Sequence, residues 1–364
     1  MKTPTVPFSN HKEKVKNSSS ENLSNHLENK NGQPKKLKFK SNKERVNYFL
    51  SLFKKSDKVL ILIWADPDAL ASAFAIKRIL QKRVEQVTIS NVNEIMRLNN
   101  QVMVKCLKIP LKKFSKALIE QHNKIILVDS QPYHREEFKN IHFTAVIDHH
   151  PLTQEFEADF IDIRMDYGAT ATILTEYLRT LKIKPSVYLA TALVYGIKTD
   201  TDNFEKSAQI QDVLAFQKLY RYMNKHLLTK IESADLRRSE LKYFKKALNN
   251  LKFKRKRAFI YLGKVSNADI LVLIADFLNK VYETSWVFVG GEYKKNLVII
   301  IRCDGYRKDA GKLSVKLFKK IGLAGGHRAK ARAEIPFENL KIDPSKFDTN
   351  TFISLFKKYF RDQK

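Results

Sequence analysis

The residues best suited to chemistry form one short stretch, 145–150. Three apolar residues run directly into Asp148, His149 and His150. A strand that ends in an acid and two imidazoles places three metal-competent side chains at its carboxyl end, the edge of an open α/β sheet at which ligands bind. A surface loop that happens to hold two histidines is the alternative for this stretch taken alone.

Three further stretches repeat the pattern of an apolar run followed by carboxylates. The runs are 59–64, 124–128 and 192–197, and the acids that follow them include Asp66, Asp68, Asp129 and Asp200. The first two runs are typical of buried parallel strands, whereas the third fits a strand or the end of a helix. Carboxylates and imidazoles together suit divalent metals held by oxygen and nitrogen. Two such ions close together clamp the attacking and leaving oxygens of a phosphoryl transfer.

Composition narrows the class of protein. The chain has 364 residues, which favours two domains, and its net charge of +29 favours polyanionic partners, although a basic proteome or tail would explain the charge equally well. Two cysteines without a CxxC motif predict no disulfide framework, no thiolate zinc site and a cytoplasmic location. Without an apolar run of 18 residues, and with a polar start, we expect no membrane partner and no secretory signal.

The order of segments predicts a parallel-sheet α/β domain with helices on both faces, then a smaller α/β domain, with the active cleft between them. The predicted segments are a disordered basic tail (1–43), the sheet domain (44–207), a helical connector (208–251) and the second domain with a terminal helix (252–364). The tail has too few large apolar residues to bury. It either contacts nucleic acid nonspecifically or is a passive solubilising segment. Ser41 is a predicted helix cap, with Glu44 three residues on.

Two glycine-containing segments could hold phosphate. The small and hydroxyl residues of 168–172 open a predicted helix, where they either leave backbone N–H groups for a phosphate or form a plain cap. In 322–330 the glycines allow close approach of a ligand, and His327, Arg328 and Lys330 add donors. A tight turn with solvated charges is the alternative for this second segment.

Taken in order, these motifs resemble the DHH superfamily of phosphoesterases, which includes RecJ-type nucleases, nanoRNases that also act on pAp, and cyclic-dinucleotide phosphodiesterases. The resemblance covers about residues 60 to 350, and its motifs are 66–72, Asp129, Asp148–His150, 168–172, 196–201 and 325–327. The last of these resembles the glycine motif of the DHH-associated domain. The ordered set is far more specific than any single motif.

The resemblance implies a role for each matching residue. The implied manganese ligands are Asp66, Asp68, Asp129, His149 and Asp200. Asp148 and His150 would be catalytic residues beside the ligands or facing the phosphate, and the metals would activate the water that attacks phosphorus. The implied substrate-binding residues are Arg302, Gly325, Gly326, His327, Arg328 and Lys330.

One departure from the family pattern affects the metal count. The first motif of the family normally starts with a histidine two or four residues before the first Asp, where this chain has Trp64 and Leu62. The resemblance therefore implies one firm Mn²⁺ site and a second, weaker one. We expect Trp64 to be buried rather than to stack on a base.

The function expected from the resemblance is a manganese-dependent phosphoesterase acting on short oligoribonucleotides or related phosphodiesters and nucleotides such as pAp. The alternative is a catalytically weakened DHH protein that binds nucleic acid or a nucleotide signal. A long single-strand exonuclease of the RecJ type ranks lower, because the chain lacks the length for an added OB domain. The sequence leaves open a homodimer and the choice among RNA, DNA and cyclic dinucleotides.

Overall fold

A computed structural model describes residues 39–205 and 207–357, which contain two six-stranded sheets. The strands of the first are β1 (Lys58–Ile63), β2 (Gln86–Asn91), β3 (Leu111–Lys113), β4 (Lys124–Val128), β5 (Phe143–Asp148) and β6 (Ala158–Ile163). Their order is β3-β2-β1-β4-β5-β6, and every neighbouring pair is parallel. The chain therefore has the predicted α/β fold class.

Helices cover both faces of this sheet. They are α1 (Asn42–Ser51), α2 (Pro67–Leu80), α3 (Leu98–Cys106), α4 (Lys116–Glu120), α5 (Thr170–Thr180) and α6 (Val187–Asp200). Ile61 and Ile63 point into the larger core, which includes buried residues of α1, α2, α5 and α6. Leu60 and Leu62 point into a smaller core with Leu118 of α4. Burial on both faces explains why β1 is an unbroken apolar run.

Three helices connect the first sheet to the second: α7 (Ile210–Tyr220), α8 (Lys225–Glu232) and α9 (Leu241–Asn250). The second sheet contains β7 (Lys252–Phe253), β8 (Arg257–Lys264), β9 (Trp286–Tyr293), β10 (Asn296–Cys303), β11 (Leu323–Gly326) and β12 (Lys330–Pro336). Its helices are α10 (Asp269–Leu278), α11 (Ala310–Phe318), α12 (Phe337–Leu340) and α13 (Thr349–Ser354). Its order is β11-β12-β10-β9-β8-β7, with β8 and β9 parallel and the other neighbours antiparallel.

Among other elements, the structure decides or corrects the sequence prediction at three that concern the site and its surroundings. The run 192–197 lies inside helix α6, so the helical alternative is the right one. Strand β6 was not predicted, because it alternates acids with apolar residues at the edge of the sheet. Gly325 and Gly326 lie in the edge strand β11 rather than in a turn, and the turn follows them.

At the amino-terminal side, the predictions for residues 1–38 lie outside the described residues. Ser41 caps α1 as predicted, since its side chain accepts a hydrogen bond from the Glu44 N–H. Helix α1 begins at Asn42, so Asn42 and Lys43 belong to it rather than to the predicted tail. Within the described part of the chain, no helix combines the length and the apolar character needed to cross a membrane.

Candidate metal centre

The acidic side chains predicted at strand ends meet at one edge of the first sheet. β1 pairs with β4 and β4 with β5, so the carboxyl ends of these three strands are neighbours. Asp66 follows β1, Asp129 follows β4 and Asp148 ends β5. Helix α6 packs against α2 and brings Asp200, its last residue, to the same edge.

Two N-terminal helix positions hold the acids of the first motif in different ways. Asp66 is the N-cap of α2 and accepts a hydrogen bond from the Ala69 N–H at 2.9 Å. Asp68 is fully buried and accepts hydrogen bonds from the N–H groups of Thr170 (2.6 Å) and Ala171 (2.8 Å) at the start of α5. These two donors are therefore taken by Asp68, so of the two alternatives for this segment the structure favours a capped helix start over a phosphate site.

Ligand atoms of five predicted residues come close enough to hold a cation. Among the described residues, two groups of side chains have ligand atoms that all lie within 4.8 Å of one another. The first group is Asp68, His149 and Asp200, and the second is Asp129, His149 and His150. Four of the five predicted metal ligands thus belong to these groups. Asp66 belongs to neither, and His150, predicted as a catalytic residue, joins the second.

His149 supplies the test of whether a metal fits. Its Nδ1 lies 3.2 Å from the Tyr167 carbonyl, so Nδ1–H donates there and the neutral ring carries its lone pair on Nε2. Nε2 is buried and makes no hydrogen bond with a described residue. It lies 3.3 Å from a carboxylate oxygen of Asp200 and 3.7 Å from one of Asp129. A buried imidazole nitrogen aimed at carboxylates, with its other nitrogen held by a carbonyl, is the arrangement of a metal ligand.

The electrostatics of the cluster point the same way. Burial, followed by repulsion from Asp200, raises the pKa of Asp66 to about 6 and that of Asp68 to about 7. The pKa of Asp129 lies well above its usual value because of burial and then repulsion from Asp68 and other acids. Burial lowers the pKa of His149, but the Asp200 carboxylate 3.3 Å from Nε2 and the charge of nearby acids outweigh it and raise that pKa to about 9. A bound divalent cation would relieve this repulsion.

Asp129 also has an unusual backbone. Its φ of 60° lies in the left-handed region, which Asp tolerates better than most residues. One of its carboxylate oxygens accepts a hydrogen bond from the Thr170 hydroxyl at 2.8 Å. Strain of this kind persists where the surrounding structure enforces it, and it is concentrated at functional sites.

Asp148 and His150 form a second hydrogen-bonded pair beside the cluster. Asp148 is fully buried and lies 2.8 Å from His150 Nδ1, while the His150 side chain is 44% exposed. This hydrogen bond raises the pKa of His150. Gln131 donates to the other oxygen of Asp148 at 2.7 Å, and the His134 ring lies edge-on to His150. Sequence analysis missed Gln131 and His134, whose signal was their place directly after a strand that ends at the site.

The two positions that replace the family histidine carry no ligand. Leu62 is fully buried in the smaller core. Trp64 is half-buried against the same core, and the guanidinium of Arg135 lies 4.2 Å from its ring centroid. The burial expected for Trp64 is thus only partial, and Arg135 covers one face of the indole.

The predicted substrate-binding residues divide between two places. Arg302 and Lys330 line a cavity of about 610 Å³ between the first sheet domain, the connector and the second sheet domain. Lys330 Nζ lies 4.0 Å from a carboxylate oxygen of Asp202, next to the metal cluster in sequence. Gly326, His327 and Arg328 instead line a separate depression beside α11. Gly325 lies in β11 with open space where a Cβ would stand.

Asp212 is a further residue that the sequence did not single out. It is fully buried, and its carboxylate accepts hydrogen bonds from the Gly168 N–H (2.9 Å), the Gln209 N–H (2.7 Å) and the Thr172 hydroxyl. Gly168 directly follows Tyr167, whose carbonyl orients His149. Asp212 therefore fixes the loop that selects the tautomer of His149.

Fold and site together define a class of protein. It has a parallel α/β domain with a carboxylate–imidazole cluster at the carboxyl edge of its sheet, followed by a second sheet domain. Residues 58–197 match the model of the DHH family, N-terminal domain. This part of the chain, which carries most of the cluster, is therefore similar to the DHH family.

Individual proteins show the same likeness. The chain is 33% identical over 279 residues to the uncharacterized protein MJ1633 of Methanocaldococcus jannaschii, a match covering 76% of this chain and 57% of that protein. The chain thus spans little more than half the length of this relative. The structure of an exopolyphosphatase-related protein from Bacteroides fragilis has a TM-score of 0.62 at 16% identity, covering 89% of this chain and 98% of that one. The structure of a putative family II inorganic pyrophosphatase from Methanococcus jannaschii has a TM-score of 0.41 at 17% identity, covering 77% of this chain and 93% of that one.

Proposed function

We propose that the protein is a Mn²⁺-dependent phosphoesterase that hydrolyses short oligoribonucleotides or related phosphodiesters and nucleotides such as pAp. The observation that carries the proposal is His149 Nε2, buried without a hydrogen bond and facing the carboxylates of Asp129 and Asp200. A site built only to bind a nucleotide has no need of an imidazole lone pair surrounded by acids.

In this proposal Asp68, Asp129, His149 and Asp200 hold the firmer cation. When bound, the cation supplies Lewis acidity that activates water and neutralises phosphoryl oxygens. Asp66, without a histidine partner at residues 62 or 64, contributes to a weaker second site.

The chain's own groups then handle the leaving oxygen. His150 is half-exposed at the edge of the cluster, and its Nδ1 is hydrogen-bonded to the buried Asp148. This contact raises the pKa of His150 and so favours the protonated ring, whose Nε2–H can be donated to the leaving group. Gln131 holds Asp148 in place through its other oxygen. Across the cleft, Lys330 supplies positive charge for phosphate, and Arg302 lines the same cavity with its guanidinium donating to Asp276 at 2.6 Å.

A second candidate function is a DHH protein that binds nucleic acid or a nucleotide signal without cleaving it. The specific observation in its favour is the replacement of the first-motif histidine by Leu62 and Trp64, one in the core and the other under Arg135. We favour the hydrolase because the ligand set around His149 is otherwise complete.

The test is release of mononucleotide from an end-labelled RNA dinucleotide, with and without Mn²⁺. We expect metal-dependent release that Asp200→Ala abolishes. The matched control is Asp159→Ala, which removes an acid near the opposite end of β6 in the same sheet and should keep full activity. Binding of the dinucleotide without release, at every metal concentration, would reject the hydrolase in favour of the binding protein.

A further inference from the structure

A strongly basic surface lies on the connector and the start of the second sheet, outside the metal cluster. Residues 241–257, which form α9, β7 and the first residue of β8, contain eight lysines and arginines and no acid among 17 residues. The exposed cations of this segment lie on the outer face of α9 and in the turn 254–256 between β7 and β8. We call this segment the α9–β7 basic surface.

The cations of this surface face solvent. Lys245 and Lys246 on α9, and Lys254, Arg255 and Lys256 in the turn, are all exposed. Within residues 39–205 and 207–357, none of these five makes an ion pair with a carboxylate. Clustered charge without nearby acids repels itself and attracts counterions, which a polyanion releases on binding.

Apolar side chains are interleaved with this charge. Phe253 is 50% exposed directly before the turn, and Phe277 of α10 is 48% exposed with its ring 5.7 Å from that of Phe244 on α9. Exposed aromatic rings beside cations are the two components of surfaces on which single-stranded bases stack while the backbone follows the charge.

The surface is continuous with the cleft. Lys242 and Tyr243, at the start of α9, line the cavity between the domains, and so does Lys330. Lys330 lies within 4.0 Å of Asp202, which closely follows the candidate ligand Asp200. A strand bound along α9 would therefore enter the cavity at Lys242 and Tyr243 and meet Lys330, which contacts Asp202 beside the candidate ligand Asp200.

We infer that the α9–β7 basic surface binds the body of a single-stranded nucleic acid whose end occupies the cleft. The use of this surface in feeding substrate rests on the proposed function, whereas the binding itself does not. An anionic membrane is the competing partner, but α9 already packs Tyr243 and Ala247 into the core and leaves only Leu241 and Leu248 exposed, with Lys245 between them. That face offers no continuous apolar stripe to insert into lipid.

The experiment measures binding of the full chain, without metal and with a chelator, to a labelled single-stranded RNA of about 16 nucleotides, by fluorescence anisotropy. Lys254→Gln/Arg255→Gln/Lys256→Gln should weaken binding at least tenfold. It should also reduce the slope of log K against log[salt] by about 2, since each phosphate contact in a single strand contributes about 0.7. Phe253→Ala should weaken binding about 5- to 100-fold with an unchanged slope, because it removes stacking.

The matched control is Lys112→Gln/Lys113→Gln/Lys116→Gln, which removes three exposed cations at the β3 edge of the other sheet. It should stay within twofold of the unaltered protein. Equal losses in both triple variants, or no loss in the turn variant, would overturn the inference. Turn-dependent binding to anionic phospholipid vesicles without such binding to RNA would overturn it in favour of a membrane surface, and single-stranded DNA of the same sequence shows whether the sugar matters.

Hydrolysis separates this inference from the proposed function. The turn variant should cleave a dinucleotide at the normal rate but cleave the longer strand more slowly. If the protein cleaves nothing yet binds RNA through the turn, the phosphoesterase proposal fails while the inference stands. If dinucleotide cleavage is normal and the turn has no effect on long RNA, the inference fails alone.

Discussion

Asp129 combines two properties that pull stability and function in opposite directions. Its carboxylate is buried among other acids, which raises its pKa, and its backbone φ is 60°. Asn tolerates the left-handed region as Asp does and carries no charge. Asp129→Asn should therefore stabilise the metal-free protein at pH 8, because a neutral amide removes the repulsion among the buried acids, and it should abolish Mn²⁺-dependent activity. Denaturant unfolding and the dinucleotide assay measure the two effects.

Asp129→Ala is the control for this prediction. Alanine lacks the carboxylate too, but it is less favourable at positive φ and cannot accept the Thr170 hydroxyl. We expect it to be about 1–3 kcal/mol less stable than Asp129→Asn. If the two variants have the same free energy of unfolding, neither the positive φ nor the hydrogen bond from Thr170 distinguishes Asn from Ala at residue 129.

The raised pKa values predict how metal affinity depends on pH. Asp68 titrates near 7 in the folded protein against 3.8 when unperturbed, so the metal-free fold loses stability as pH rises between these values. His149, raised from 6.5 to about 9, loses its contribution as pH rises through that higher range. A cation needs both groups deprotonated, so Mn²⁺ should raise the melting temperature more at about pH 8 than at about pH 6. Equal shifts at the two pH values would contradict this ligand set.

The sequence predicted which acidic side chains meet at the sheet edge better than it predicted which residues orient them. Asp66, Asp129 and Asp148 each follow an apolar run, and parallel strands bring such ends together. The role of Asp212 could not be predicted, because its hydrogen bond to Gly168 joins residues that only the folded chain places side by side. The place of Gln131 after β4 was a signal that it lies near the site, but its partner Asp148 is known only from the fold.

At the scale of elements, the contact between α2 and α6 sets the distance between Asp68 and Asp200. Gly196 of α6 faces α2, and a Cβ there would lie 3.1 Å from Asp68 Cα and 3.3 Å from Ala71 Cβ. Gly196→Ala should push the helices apart, destabilise the fold by about 1–3 kcal/mol and weaken Mn²⁺ binding at least tenfold. Isothermal titration with Mn²⁺ and denaturant unfolding measure these changes.

Gly325→Ala is the matched control, since a Cβ at Gly325 would meet nothing within 4 Å. Its free energy of unfolding should stay within about 0.5 kcal/mol of the original, with Mn²⁺ affinity unchanged. A similar loss of metal binding in both variants would show that the spacing of α2 and α6 does not control the site.

Helices and strands were predictable where the apolar residues followed one clear pattern along the chain, and they were uncertain elsewhere. The buried runs of β1 and β4 are unambiguous strands, whereas 192–197 is apolar all round because α6 is buried on most sides. Periodicity alone cannot separate such a helix from a strand. Gly325 and Gly326 predicted a turn, yet they pair with Arg332 and Ala331 across the edge of the second sheet, a tertiary contact that local sequence does not encode.

At the scale of the whole molecule, the two sheets enclose the cavity that a substrate would enter. The sequence predicted the cleft but assigned all six substrate-binding residues to it. The structure places Arg302 and Lys330 at the cavity and Gly326, His327 and Arg328 beside α11. The arrangement of two domains depends on contacts across the connector, which no local pattern specifies.

Lys330 of the second domain contacts Asp202, two residues after the candidate ligand Asp200, so it can test this arrangement. Its contact with Asp202 is exposed, at 56% and 41% of the two side chains, so the pair contributes at most about 1 kcal/mol to stability. Lys330→Gln should therefore leave the melting temperature unchanged but raise KM for the dinucleotide about tenfold, through loss of a charged donor to phosphate. Lys320→Gln, an exposed lysine beyond α11, should change neither quantity. If Lys330→Gln leaves KM unchanged while Asp200→Ala abolishes activity, the metal cluster acts on the dinucleotide without a phosphate contact from Lys330 of the second domain.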